Sequence, residues 1–236
     1  MGRKKKTVKP LATIWEVSDE LWAQIEPILL NDAPLPPTEK GGRKRADWRR
    51  AFNGIIYRMR SGCQWNHLPK TFGDDSSVHR WFQRWNKNGV MEQIWASLVS
   101  ECEALGGVEW EWQSADGAMG KARFGGDQVG PNPTDRGKNG TKRSVVVDEE
   151  GGPLGAVIAG ANVHDTKLLE ATLESIVVER PEATEEKPQN LCLDKAYDNP
   201  TGREAAAAKG HTPHIRRIGE ERAVKRGKKS TSRGVG

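Results

Sequence analysis

The chain has 236 residues, 35% of them hydrophobic, and a formal net charge of +5. Its mean hydropathy is −0.73, and it has no apolar run near the roughly 18 residues of a membrane span, so it reads as a soluble protein able to form cores. No apolar stretch follows the basic residues 1–10, which excludes a secretory signal, and the three scattered cysteines Cys63, Cys102 and Cys192 read as reduced cytoplasmic thiols, not a disulfide framework or a metal site.

Charge is uneven along the chain. Residues 1–60 carry 13 Lys/Arg against 7 Asp/Glu, and the stretch from Arg216 carries 8 against 2. Basic ends on a balanced middle suit nucleic acid, and equally a solvated tail. Residues 1–14 read as a flexible basic arm. Ser18 is a plausible N-cap, with Asp19 and Glu20 in the first turn and Leu21, Ile25 and Ile28 as the apolar stripe. Pro27 is expected to kink or shorten that helix. Residues 31–42, with Pro34, Pro36, Pro37, Gly41 and Gly42, read as a linker.

Three helical patterns follow, Phe52/Ile55/Ile56/Met59, Val78/Trp81/Phe82/Trp85 and Met91/Ile94/Trp95/Leu98, with Gly62 and Gly89 where helices end. Residues 15–106 therefore predict an all-helical domain with tryptophans in its core. The middle pattern has a second face of His79, Arg80, Gln83, Arg84 and Lys87, free of acids. Such a face suits the DNA major groove, as on the second helix of a helix-turn-helix, with Asp74–Ser77 as the turn. A solvated amphipathic helix has the same pattern. Arg43, Lys44, Arg45, Arg49 and Arg50 suit phosphate contacts, or the solvated start of a helix.

Beyond residue 107 the period changes. Val108, Trp110 and Trp112 alternate with acids as in a strand. Ser144–Asp148 and Leu154–Ala159 flank a turn at Glu149–Pro153, a hairpin. Asp165 can cap a helix carrying Leu169, Leu173 and Ile176. Residues 180–189 read as a loop, Asn190–Leu193 as a short strand, the alanine-rich stretch to Lys209 as a helix stopped by Gly210, and His214–Ile215 as a last strand. Two acids end apolar strands, Asp116 in Ser114-Ala115-Asp116-Gly117 and Asp194 in Leu191-Cys192-Leu193-Asp194. A divalent cation compensates such charges, although a strand-end aspartate is more often a turn or helix cap.

Taken together, these words resemble the insertion-sequence transposases of the IS-five group. Residues 16–98 are similar to the family's N-terminal domain through Ser18-Asp19-Glu20-Leu21-Trp22, Gly41-Gly42-Arg43, Ser61-Gly62-Cys63-Gln64-Trp65, Leu68-Pro69 and Ser77-Val78-His79-Arg80-Trp81-Phe82. Residues 113–218 are similar to its ribonuclease-H-like catalytic domain through Asp116-Gly117, Lys121-Ala122, the Val145–Gly155 hairpin, Asn162-Val163-His164-Asp165 and Asp194-Lys195-Ala196-Tyr197-Asp198. The resemblance implies an α+β multidomain protein. A helical, helix-turn-helix-like domain over 15–106 precedes an α/β ribonuclease-H-like domain over 107–218, and 219–236 form a disordered basic tail.

The family site uses two aspartates and a glutamate to bind two Mg²⁺ or Mn²⁺ ions. Carried over, Asp116 and Asp194 are the catalytic and metal-binding aspartates, with Lys195 and Tyr197 beside the DNA. The implied partners are double-stranded DNA, as element ends and target, and a second copy in a homodimer or larger synaptic assembly. No membrane or small-molecule substrate is implied, and the implied location is cytoplasmic, at the nucleoid. His164 and Asp165 match a family motif without a derivable role. The family's glutamate lies on a later helix, in a word resembling Val-Glu-Arg after a basic stretch. Here Lys225-Arg226-Gly227-Lys228-Lys229 is followed only by residues 230–236. The expectation is a catalytic domain lacking its last helix, with apolar sheet surface exposed. Two functions stand: a transposase completed by another reading frame, or a non-catalytic binder at element ends.

Overall fold

The computed structural model describes residues 16–32, 47–122, 125–136 and 138–216. Contacts divide the chain into two compact units, Met1–Ser97 and Leu98–Gly236. The sequence expectations for the basic arm, the linker from residue 33 on, Arg43–Arg45 and the tail beyond Arg216 fall outside the described residues, while Asn31 and Asp32, read as the start of the linker, are the last turn of a helix.

The first unit is helical: α1 Asp19–Asp32, α2 Trp48–Ser61, α3 Asp75–Lys87 and the start of α4 Val90–Ala104. Pro27 does not shorten α1, which runs five residues beyond it to Asp32. Side-chain caps set the helix starts. Asp47 accepts from the Arg50 N–H at 3.1 Å, and Asp74 accepts from the Ser77 N–H at 3.0 Å. Gly62 ends α2 at φ 68°, a left-handed conformation that costs a glycine nothing. Ile25, Leu29, Phe52, Ile55, Val78 and Trp85 are buried together. Trp48, Trp81 and Trp85 form an aromatic cluster with ring centroids 5.4 to 6.4 Å apart, so these tryptophans are core residues. The link from α2 to α3 contains 3-10 turns at Trp65–His67 and Lys70–Phe72, so it is longer than the roughly 3–4-residue turn of a compact helix-turn-helix.

The second unit is built on a six-stranded sheet: β1 Trp112–Lys121, β2 Gly130–Pro131, β3 Asn139–Asp148, β4 Pro153–Gly160, β5 Asn190–Leu193 and β6 Thr212–Ile215. Its order is β4-β3-β1-β5-β6, with β2 added along the start of β3. β3 and β4 form the expected antiparallel hairpin, while β1, β5 and β6 are mutually parallel. The helix α5 Asp165–Glu174 links β4 to β5, and α6 Pro200–Ala208 links β5 to β6. This is a ribonuclease-H-like arrangement, and the chain is an α+β protein of two units.

At the hairpin turn, Gly151 takes φ 85° and the Asp148 carboxylate accepts from the Gly152 N–H at 2.6 Å. α5 packs against β1, β3, β4 and α6. Ala115, Val146, Leu154, Leu169, Leu173, Leu191, Leu193, Tyr197 and Ala206 make the core, with Val99, Val108 and Trp110 packed against it. Val108 and Trp110 thus precede β1 instead of opening it. Asp165 is not the cap of α5. His164 is, its Nδ1 accepting from the Thr166 N–H, and Asp165 is the first helical residue. Among the apolar side chains of the sheet, Ile158 is 57% and Met119 41% accessible. Among the described residues no helix is long and apolar enough to cross a membrane.

A buried polar network closes the foot of the parallel strands. His211 Nε2 lies 3.2 Å from Gln113 Oε1, and Gln113 Nε2 donates to the Trp110 carbonyl at 2.9 Å and to Gln189 Oε1 at 3.3 Å. Arg180 Nη1 lies 2.9 Å from His211 Nδ1. Burial, and secondarily the Arg180 charge, push His211 down to about 4 from 6.5.

Two stability tests follow from this packing. Trp85 is 0% exposed, so Trp85→Ala should destabilise the helical unit by about 3–5 kcal/mol, read from the urea midpoint of the far-UV CD signal. The stability that comes from keeping His211 neutral is fully present above pH 6.5 and is lost as pH falls toward 4, because the unfolded chain binds that proton first. The drop in urea midpoint between pH 7 and pH 5 should therefore be smaller in His211→Gln than in the unsubstituted chain.

Candidate active site of the sheet unit

The parallel register of β1 and β5 brings the two aspartates together. Trp112 pairs with Asn190, Gln113 with Leu191 and Ser114 with Cys192. Two positions further along each strand lie Asp116 and Asp194, on neighbouring strands and on the same side of the sheet. Asp116 does not end β1, because antiparallel pairing to β3 carries the strand on to Lys121. It stands instead where the parallel pairing to β5 stops. Asp194 follows β5 with its backbone still extended, at φ −74° and ψ 177°, and then the chain turns into a 3-10 turn at Lys195–Tyr197.

Both carboxylates are exposed. Asp116 Oδ1 accepts from the Gly117 N–H at 2.7 Å, and Asp194 Oδ1 accepts from the Ala196 N–H at 2.7 Å. In each case the backbone fixes one oxygen of an exposed carboxylate. Asp116 also lines an open cavity of about 360 Å³ with Ser114, Ala118, Arg143, Val145 and Val147.

Behind this face, Lys142 of β3 is 5% exposed and its Nζ lies 3.0 Å from Asp165 Oδ1. Gly117 makes room for that carboxylate, since a Cβ there would lie 2.1 Å from Asp165 Oδ1. Tyr197 is 0% exposed, so it is a core residue and not the DNA-facing residue the sequence suggested; the 3-10 turn after Asp194 carries its ring inward. Burial pushes its phenol well above the usual range, and the nearby charges of Asp165, Asp116 and Asp194 push it further. Lys195 opens the same turn and is half-buried. Among the described residues, no group of three His, Cys, Asp or Glu side chains is arranged to hold a metal ion.

Residues 109–233 match the family described as "Transposase DDE domain", and residues 17–95 match the one described as "Putative transposase of IS4/5 family". The chain belongs to the IS4/5 family of DDE transposases. Its relatives include an uncharacterized 16.2 kDa protein of insertion element IS402 from Burkholderia cepacia, 30% identical over 50% of this chain and 80% of that protein. Another, from the same organism, is described as "Putative transposase for insertion sequence element IS402" and is 36% identical over 39% of this chain and 45% of its own length. The chain thus spans less than half of that transposase. No solved structure matches.

In the helical unit of this family member, the cations marked in the sequence have different fates. Arg80, Gln83 and Lys87 are exposed on α3. Arg84 is tied to Asp32 at 2.8 Å, and His79 is stacked on Trp65 with ring centroids 4.6 Å apart. Arg49 holds Asp19 at 2.6 Å and the Val17 carbonyl at 2.8 Å, while Arg50 donates to the Thr71 and Lys70 carbonyls. These four side chains brace the unit. Sequence reasoning passed over Lys142 and Arg143, adjacent cations on opposite faces of β3; the alternation of that strand was the available signal.

The Gly117–Asp165 approach is testable. Gly117→Ala should cost about 1–3 kcal/mol from the steric overlap, read by urea denaturation. Combined with Asp165→Ala, which removes the overlapping carboxylate, the cost should be less than the sum of the two single variants.

Proposed function

We propose that this chain binds double-stranded DNA at insertion-element ends and takes part in metal-dependent strand cleavage and transfer, with Asp116 and Asp194 as the carboxylates that hold the metal. The observation carrying this reading is their shared register, two exposed acids side by side on adjacent parallel strands. The donor set fits Mg²⁺ or Mn²⁺. These cations take carboxylate oxygens while keeping several waters, and each aspartate keeps one oxygen free of backbone hydrogen bonds. Such a metal, when bound, activates a water or hydroxyl and neutralises charge on phosphoryl oxygens.

The protein's own part is to fix the acids. The Gly117 and Ala196 N–H groups orient the two carboxylates. Arg80, Gln83 and Lys87 on α3 supply a groove-facing edge, long cations and an amide that can reach purine acceptors. A second reading, occupancy of element ends without cleavage, is favoured by the lack of a third metal-binding side chain among the described residues.

The deciding experiment incubates the full chain with Mg²⁺ and DNA carrying the ends of its element. Cleavage that disappears in both Asp116→Asn and Asp194→Asn supports the site. Cleavage unchanged by Asp194→Asn removes it, and protected ends without cleavage select the binding-only reading. In either binding mode, Arg80→Gln and Lys87→Gln should each lower the slope of log affinity against log salt by about 0.9.

A further inference from the structure

We infer that Arg143 is a DNA-phosphate-binding residue of the same site, a role that rests on the DNA-cleavage reading above. In the β1–β3 register Asp116 faces Val145 and Ala118 faces Arg143, so Arg143 is the diagonal neighbour of Asp116 on the same face. Both line the same cavity, and among the described residues they are the only charged members of a lining completed by Ser114, Ala118, Val145 and Val147.

Three features separate this arginine from a structural or merely solubilising one. First, it is exposed and, among the described residues, makes no ion pair or side-chain hydrogen bond, Asp116 included; the adjacent Lys142 points the other way and is committed to Asp165. Second, β3 is a central strand, paired to β1 on one side and β4 on the other, so a charge there does not serve to guard a sheet edge. Third, its cross-strand partners on that face are apolar, Ala118 on β1 and Ile158 on β4, the latter at 57% exposure. A lone guanidinium above an apolar floor and beside a carboxylate suits a bidentate phosphate contact. The acid then faces one phosphodiester, and the arginine holds that group or its neighbour in register with it.

The test uses the full chain and a fluorescein-labelled duplex carrying the element ends. Arg143→Gln should lower the slope of log affinity against log salt by about 0.9, and Arg143→Lys, which keeps the charge, should restore it. In the unsubstituted chain, saturating duplex should slow modification of Arg143 by hydroxyphenylglyoxal, mapped by mass spectrometry, a readout that needs no variant to fold. If Arg80 is protected while Arg143 reacts at its free rate, or if Arg143→Gln keeps the full slope, Arg143 is not a phosphate contact and the DNA reading survives. If the duplex does not bind and no arginine is protected, the DNA reading falls and this inference with it.

Discussion

The pairing of β1 with β5 spans three residue pairs, from Trp112 with Asn190 to Ser114 with Cys192, and the site depends on it. Side chains alternate along a strand, so a slip of one position would send either Asp116 or Asp194 into the helix-packed face. Two features hold the register. Ala115 and Leu191, 3% and 0% exposed, commit their faces to the core. At the foot of the strands the Asn190 N–H donates to the Glu111 carbonyl at 2.8 Å, and Gln113 is held by Gln189 and His211. A buried polar network of this kind is costly unless every member is paired, so it specifies one alignment among those that hydrophobic burial alone would allow. The network lies at one end of the parallel strands and the two acids at the other, about 10 Å apart along the strand.

Much of this was legible in the chain itself. The helix stripes, the Glu149–Pro153 turn and the order of strands and helices follow from periodicity and from glycine and proline placement, which are local signals; the two-residue β2 Gly130–Pro131 is too short to carry one and was missed. The assignments that failed needed tertiary information. The alternation at Val108 and Trp110 is real, but those side chains reach the core from the segment before β1. Asp116 was read as a strand end in Ser114-Ala115-Asp116-Gly117. That glycine instead answers to the Asp165 carboxylate, a contact set by α5, whose first residue lies 48 positions further along the chain. The family resemblance put Tyr197 beside the DNA, yet a phenol is large and mostly apolar, and the turn after Asp194 carries it into the core.

The helical unit shows how weakly a basic face predicts its own use. Nothing in the spacing of α3 separates Arg84 from Arg80, one turn apart on the same side. The difference comes from α1, which sets Asp32 within 2.8 Å of Arg84, whereas Arg80 has only a 3.3 Å contact to the Ser77 hydroxyl of its own helix among the described residues. Likewise Arg49 and Arg50 open α2 and look alike in sequence, but one clamps the entry to α1 and the other the 3-10 turn at Lys70–Phe72. A cation that satisfies carbonyls of its own fold has fewer donors left for a phosphate, so the electrostatic surface offered to a polyanion is narrower than the composition suggests.

The same logic, run in reverse, gives weight to strand parity in the sheet unit. Lys142 and Arg143 are consecutive and equally charged, so composition and net charge cannot tell them apart. Parity sends Lys142 toward α5, where a buried ammonium would be prohibitive without the carboxylate 3.0 Å away, and where loss of that carboxylate would leave it stranded. Arg143 is sent to the open face, where solvent supports its charge and no fold contact needs it. One cation is therefore explained by the fold and the other is not. On a sheet whose exposed acids are aligned by register, the unexplained cation beside them is the one whose position calls for a ligand.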